Sequence, residues 1–399
     1  MPEGRVRWVN SAPRPASTFR LIVTGGGTGG HTYPALTAIR TLQGRLSAEG
    51  RSLDVLWIGT AEGLEARVAP AAGISFATVA TGKIRRSSNP LKMLSAANVK
   101  DMARVPLGVA QARKLVAEFR PDVVLATGGY VAVPAGLAAR MCRRPLVLHE
   151  QTVRLGLANR KLAGSAARIA VSSESSLPLL PEAVRDLAVV TGNPVRPEVL
   201  NGDAEQAIHA LGLYGFDRGL PTVYVTGGAQ GSQQINHVVG DALAWLLERA
   251  NVIHQCGPDH MEGLRERAAV LPETLRGRYH LTGFVGAELP DVLALADVVV
   301  SRSGAGTLAE LTALGKPAVF IPLATSAGNE QAHNARHLED AGAAVALAGD
   351  VTADHLRDAV GRLLTDPARR EEMAERARAY GRPDAADRLV DVILSAASG

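Results

Sequence analysis

Short runs of consecutive apolar residues recur along the chain, each closed by a small-residue loop and most followed by a stretch with helical spacing. The first is Leu21-Ile22-Val23, which ends in Thr24-Gly25-Gly26-Gly27-Thr28-Gly29-Gly30-His31. Ala35, Leu36, Ala38, Ile39 and Leu42 then repeat at the spacing of one helix face, which predicts a helix from about Pro34. Further strands are predicted at 55–58, 123–125, 146–148, 169–171 and 189–190. Runs that are apolar throughout, rather than alternating, mark strands buried on both faces. The pattern restarts at 223–225, which runs into Thr226-Gly227-Gly228-Ala229-Gln230-Gly231-Ser232, and continues at 252–253, 298–300, 319–321 and 345–347. Two series of strand, turn and helix predict an α/β protein of two doubly wound, Rossmann-like domains.

Gly192-Asn193-Pro194-Val195-Arg196 reads as the linker, so the domains are expected at 20–193 and 194–399. Residues 1–19, with Arg5, Arg7 and Arg14 and no apolar core of a secretory signal, read as a loose extension. The last helical stretch, about 385–396, is a candidate to return to the first domain. A length of 399 residues suits two or three domains of about 150 residues. Hydrophobic content of 46% with 21% charged residues excludes global disorder. Net charge is only +4 and aromatics are 4%, so no nucleic-acid partner is expected. Cys142 and Cys256 are the only cysteines, which rules out a disulfide scaffold and fits a reducing compartment. No run approaches 18 apolar residues, so no membrane-spanning helix is expected and the chain reads as cytoplasmic.

Two loops carry candidate chemistry. Gly25, Gly27 and Gly30 match the spacing of a dinucleotide fingerprint, in which a glycine turn leads an anion to a helix N-terminus. That fingerprint needs a carboxylate at the tip of the second strand, and this one ends Ile58-Gly59-Thr60. A tight turn without a ligand is the plain alternative. The second locus is Ser301-Arg302-Ser303-Gly304-Ala305-Gly306-Thr307-Leu308-Ala309-Glu310. Small residues between a strand and a helix let backbone approach a diphosphate, while Arg302 and the helix dipole add positive potential. Glu310, one turn on, is placed to accept from ribose hydroxyls, or is simply a good helix starter. Asn329-Glu330-Gln331 and Asn334 supply the polar groups that hydroxyl-rich sugars need.

Other chemistries lack their motifs. The chain has no Asp-x-Asp clamp, no Gly-x-Ser-x-Gly elbow and no Gly-Lys-[Ser/Thr] phosphate loop. His333 and His337 have no third ligand, so neither a metal nor any other cofactor is expected.

Taken in order, the motifs resemble one family: Gly26 to His31, Gly128-Gly129-Tyr130, His149-Glu150-Gln151 with Gly156-Leu157-Ala158-Asn159, the 192–196 segment, the 227–231 loop, His254-Gln255, and Arg302 to Glu310 with Gln331 and Asn334. From about Arg20 onward the chain is similar to the bacterial peptidoglycan N-acetylglucosaminyltransferases of glycosyltransferase family 28. The resemblance implies a GT-B fold, two Rossmann-like domains facing a central cleft. It also implies transfer of N-acetylglucosamine from UDP-N-acetylglucosamine to lipid I, the undecaprenyl-diphospho-N-acetylmuramoyl-pentapeptide. The anomeric centre would invert, and lipid II would form without a metal.

By that resemblance the donor side would comprise Arg196, Ala229, Gln230, Arg302, Ala305, Gly306, Thr307, Glu310, Glu330 and Gln331. The acceptor side would comprise Thr28, Gly29, Gly30, Tyr130, Thr152 and Asn159. His31, expected at the cleft, would be the catalytic base or a positioning residue, with a plain helix cap as the alternative, and Glu150 is its rival as base. Residues 83–114 carry eight basic side chains against Asp101, interleaved with apolar ones, and suit an anionic cytoplasmic leaflet. The family places its members peripherally on that face of the cell membrane. The chain departs from the family pattern at Thr152 (usually Asn), at Ala229 (usually Ser), at Glu330 (usually His or Gln) and in a longer loop at 326–330. These departures leave two other readings open, a transferase of secondary metabolism with another acceptor and a silent UDP-sugar binder. A nucleotide-sugar 2-epimerase of the same architecture is a third.

Overall fold

A computed structural model describes residues 17–82, 96–326 and 329–399, with side chains in the helix Ala96–Phe119 described from residue 104. The extension at 1–16, the first part of the basic segment at 83–95 and residues 327–328 of the longer loop lie outside the described residues.

The chain divides into two compact units, one running to Pro194 and taking back Asp384–Gly399, the other Val195–Pro383. In the first, seven parallel strands are β1 (Thr18–Thr24), β2 (Ser52–Gly59), β3 (Ser75–Thr78), β4 (Val123–Ala126), β5 (Leu146–Glu150), β6 (Arg168–Val171) and β7 (Ala188–Val190). Their order is β3-β2-β1-β4-β5-β6-β7. The second unit holds β8 (Thr222–Thr226), β9 (Asn251–Gln255), β10 (Tyr279–Thr282), β11 (Val298–Ser301), β12 (Ala318–Phe320) and β13 (Val345–Ala346), ordered β10-β9-β8-β11-β12-β13 and again all parallel. Each sheet reverses its winding beside its first strand, between β1 and β4 and between β8 and β11. Ligands of open α/β sheets bind outside the strand ends at such points.

Central strands are the continuous apolar runs of the sequence: Val123 to Ala126 and Leu146 to Leu148 are fully buried. The pattern missed β3 and β10, which are edge strands. Only one residue of β3 and none of β10 is fully buried, so neither needs an apolar run. β1 begins at Thr18, and Phe19 is buried, so the expected extension gives up its last two residues to the sheet. The first helix spans Gly29–Ala48, five residues earlier than its apolar periodicity starts. Its first turn is built from small residues at the loop, and the Thr28 carbonyl accepts from the amides of His31 and Thr32.

The helix Ala385–Ser398 lies against the helix Gly29–Ala48 and joins the core of the first unit through Leu389, Val390 and Ile393, all fully buried. Leu389→Ala is expected to destabilise the chain by about 2–5 kcal/mol, since a buried leucine is removed and its cavity stays. The exposed Arg45–Asp391 pair, at 2.7 Å, joins the same two helices. Asp391→Ala should cost less than about 1 kcal/mol. Urea midpoints of the two variants check this ranking.

Candidate active site

In the first unit the loops after β1 and β4 meet at the strand reversal. Glu65, fully buried, sits beneath the glycine turn. One of its carboxylate oxygens accepts from the Gly27 amide at 2.8 Å, the other from the amide and hydroxyl of Thr60, each at 2.9 Å. A Cβ on Gly26 would stand 2.1 Å from that carboxyl group, so only glycine fits there. The turn therefore already holds an internal anion. Gly27 has no amide to give a pyrophosphate, and the fingerprint spacing here does not make a dinucleotide cradle.

His31, the third residue of its helix, is half-buried. Its carbonyl accepts from the Thr127 hydroxyl at 3.0 Å, and its Nδ1 lies 2.9 Å from Gln151 Oε1. Gly128, with φ of +107°, passes so close that a Cβ there would stand 2.9 Å from the imidazole. Behind Gln151 lies His149, whose Nδ1 is 3.0 Å from Gln151 Nε2 and whose Nε2 is 3.2 Å from the Gly192 carbonyl. Burial pushes His149 down to about 4, so it is neutral near pH 7.

Glu150 points the other way, as alternation along a strand requires. Its carboxylate accepts from the amides of Thr152 (3.2 Å) and Gly156 (2.8 Å) and from Asn159 Nδ2 (3.0 Å). The Thr152 hydroxyl lies 2.8 Å from Glu150 and 2.7 Å from the Arg154 carbonyl, sharing one proton between them. Tyr130, after β4, is exposed.

In the second unit the loop after β8 leaves Gly228, Ala229 and Gln230 exposed at its tip. Gln255 holds it from below, donating to the Gly228 carbonyl at 2.9 Å while its oxygen accepts from Tyr224 and from the Val285 amide. Asn236 donates to the Cys256 carbonyl at 2.8 Å and accepts from His254, which burial pushes down to about 3.

The loop after β11 leads into the helix Ala305–Leu314, whose N-cap, Gly304, provides no side-chain cap. Ala305, Gly306 and Thr307 form the first turn, where a helix leaves its amides without intrahelical partners. Arg302 beside them is half-buried, and its guanidinium has no hydrogen-bond partner among the described residues. Burial holds it below its ordinary pKa. The loop is fixed from the helix Glu330–Asp340: Ser303 donates to the Gln331 carbonyl at 2.7 Å, and Asn334 to the Ser303 carbonyl at 3.2 Å. Gln331 Oε1 in turn accepts from the Leu323 amide at 3.0 Å. Glu310 is bound by Arg196, whose Nε and Nη2 both reach Oε1, at 2.9 and 2.8 Å. Oε2 has no partner among the described residues. Burial raises the Glu310 carboxyl above the usual carboxylate value, and Arg196 opposes that shift.

Two family models match the chain, the N-terminal domain of glycosyltransferase family 28 over residues 21–171 and its C-terminal domain over residues 222–389. A UDP-N-acetylglucosamine–N-acetylmuramyl-(pentapeptide) pyrophosphoryl-undecaprenol N-acetylglucosamine transferase of Pediococcus pentosaceus is 37% identical over 94% of this chain and 99% of its own length. The chain belongs to glycosyltransferase family 28. A transferase of the same description from Listeria monocytogenes is 35% identical, over 94% of this chain and 99% of its own. The crystal structure of MurG from Acinetobacter baumannii superposes with a TM-score of 0.72 at 26% identity, covering 94% of this chain and 99% of that one. The two Rossmann-like units are thus the paired domains of the GT-B fold.

Within this family 28 framework the structure groups the expected residues in two sets. Thr28, Gly29, Gly30, His31, Glu150, Thr152 and Asn159 stand on the first unit, and Tyr130 with them. Arg196, Glu310, Arg302, residues 305–307, Ala229, Gln230, Glu330 and Gln331 stand on the second. Arg196 meets Glu310 directly, a pairing that the sequence does not announce. Glu65, His149, Gln151 and Gln255 were missed as site residues. For His149 and Gln151 a signal existed: two apart at a strand end, they fall on one side of the sheet with Glu150 on the other. Glu65 reads only as a helix starter. Among the described residues no three His, Cys, Asp or Glu side chains come together as a metal site, and no helix is long and apolar enough to cross a membrane.

The Glu65 carboxyl is held below its usual value: burial alone would raise it, but the amides of Thr60 and Gly27 with the Thr60 hydroxyl more than offset that. Such a depressed carboxyl stabilises the fold above its unfolded pKa, near 4.5, and ceases to as pH falls through the lower folded value. Glu65→Gln, which turns a donor toward donors, is expected to cost about 1–3 kcal/mol at pH 7. The gap to the parent should narrow below pH 4.5 in urea unfolding at the two pH values.

Proposed function

We propose that this chain transfers N-acetylglucosamine from UDP-N-acetylglucosamine to the muramyl 4-hydroxyl of lipid I, with inversion, to give lipid II. The observation that carries the donor half is the unpartnered Arg302 beside the uncapped helix at Ala305. Together they supply a guanidinium and three amides where a diphosphate would gather negative charge. Glu310, steadied by Arg196, keeps one carboxylate oxygen for the ribose hydroxyls. Gln331 keeps its amide nitrogen for the sugar, since its oxygen is taken by Leu323.

On the first unit His31 is the base and Glu150 is not. Every bond to Glu150 comes from its own loop, so the carboxylate organises residues 150–159 rather than receiving a proton. In the reaction the acceptor oxygen bonds to the anomeric carbon as the bond to the UDP oxygen breaks. UDP leaves with that electron pair, and the acceptor proton passes to His31. A peripheral station on the anionic cytoplasmic leaflet accords with the exposed Arg104, Leu107, Arg113 and Lys114 of the helix Ala96–Phe119.

Incubation with radiolabelled UDP-N-acetylglucosamine and lipid I tests the reading. Labelled lipid II and free UDP are expected, unchanged by a chelator. Label on a non-muramyl alcohol alone would establish the secondary-metabolism reading. Conversion of the donor without acceptor would establish an epimerase, and binding without turnover a silent binder.

A further inference from the structure

We infer that Gln151 and His149 are positioning residues that fix His31 as the tautomer with its proton on Nδ1 and a bare lone pair on Nε2. The inference rests on the reading of His31 as the base. It follows from counting donors and acceptors inward from the one group that has no choice. The Gly192 carbonyl can only accept, and it lies 3.2 Å from His149 Nε2. A neutral imidazole carries one N–H, so the proton of His149 is on Nε2 and its Nδ1 is an acceptor. Burial keeps that ring neutral. Gln151 must then turn its NH2 toward His149, at 3.0 Å from Nδ1. A second contact fixes the same orientation independently, because Nε2 of Gln151 also lies 3.2 Å from the His149 main-chain carbonyl. With its nitrogen so engaged, Gln151 presents Oε1 to His31 Nδ1 at 2.9 Å, and an amide oxygen can only accept.

His31 therefore donates from Nδ1, and Nε2 is left to take a proton. The ring is also held in place from its own backbone, by the Thr127 hydroxyl on the His31 carbonyl, and by the bare Cα of Gly128. The relay Gly192–His149–Gln151–His31 does for this base what a buried carboxylate does for the histidine of a catalytic triad, without adding charge.

The test is nitrogen-15 NMR of the full chain with labelled histidine, combined with steady-state kinetics. In the parent protein the His31 resonances, assigned with His31→Ala, are expected to show a protonated Nδ1 and a bare Nε2. Gln151→Met removes the acceptor. The tautomers should mix, and kcat should fall roughly 10- to 100-fold with the KM for UDP-N-acetylglucosamine within about twofold. Gln151→Glu keeps an acceptor for Nδ1–H and should keep the tautomer. His149→Phe removes the side-chain acceptor but leaves the His149 main-chain carbonyl to hold the amide, so the tautomer should persist. A parent His31 with its proton on Nε2, or a Gln151→Met protein with unchanged tautomer and kcat, overturns the inference. If the tautomer is as inferred but His31→Ala still turns over normally, the assignment of the base fails instead.

Discussion

His31→Ala is expected to lower kcat by roughly 10²–10⁴-fold, the contribution of a positioned general base, while the affinity for UDP stays within about twofold. The split follows from where the groups stand. His31 belongs to the first unit, and among the described residues its side chain bonds to Gln151 of the same unit. The groups assigned to the diphosphate and ribose all belong to the second unit. An alanine at 31 leaves the helix Gly29–Ala48 intact, because the Thr28 carbonyl is bonded by main-chain amides rather than by the imidazole. Single-turnover transfer with calorimetric UDP binding reads both quantities. Equal losses in turnover and in UDP affinity would move His31 to the donor site and leave the reaction without its proposed base.

Arg302→Ala is the second large effect. Loss of a preorganised charge at a developing oxyanion costs about 10²–10³-fold in rate, and here kcat/KM for UDP-N-acetylglucosamine should fall by that order. UDP binding should weaken as well, since the same cation meets the diphosphate before and after transfer. Among the described residues the guanidinium has no hydrogen-bond partner, so its removal strands no buried carboxylate there and the fold should hold. Arg302→Lys should restore only part of the rate, because an ammonium lacks the planar fork that grips two oxygens at once. The contrast with Arg196 is informative. Arg196 is committed to Glu310, so Arg196→Ala would act through that carboxylate rather than on the diphosphate. Normal UDP affinity in Arg302→Ala would contradict the donor assignment.

Much of this was legible in the chain. Strands such as 123–126 and 146–150 lie in the middle of a sheet with helices on both faces, and burial on both sides leaves an unbroken apolar run. β3 and β10 escaped notice because an edge strand needs no such run, and Ser75 and His280 sit where apolar residues would otherwise signal a strand. The helix start at Gly29 was hidden because loop-facing residues there are chosen for size, not for periodic apolarity. In the site, Arg302 and residues 305–307 could be found because a small-residue turn into a helix has a local signature. Glu65 could not, since its importance comes from lying under Gly27, which is 38 positions away. Arg196 and Glu310 are 114 apart, and only the fold brings them to 2.8 Å. Hydrogen bonds that close over such separations leave no trace in spacing.

The helix Ala385–Ser398, which completes the core beneath Leu42, Leu46 and Trp57, is encoded after the whole of Val195–Pro383. On the ribosome, then, the first unit cannot mature simply because it is made first. An apolar stripe along Gly29–Ala48 stays uncovered while the rest of the protein is translated. Nascent chains halted anywhere before residue 385 keep that stripe open to chaperones, and release of the last helix from the exit tunnel is the event that seals it.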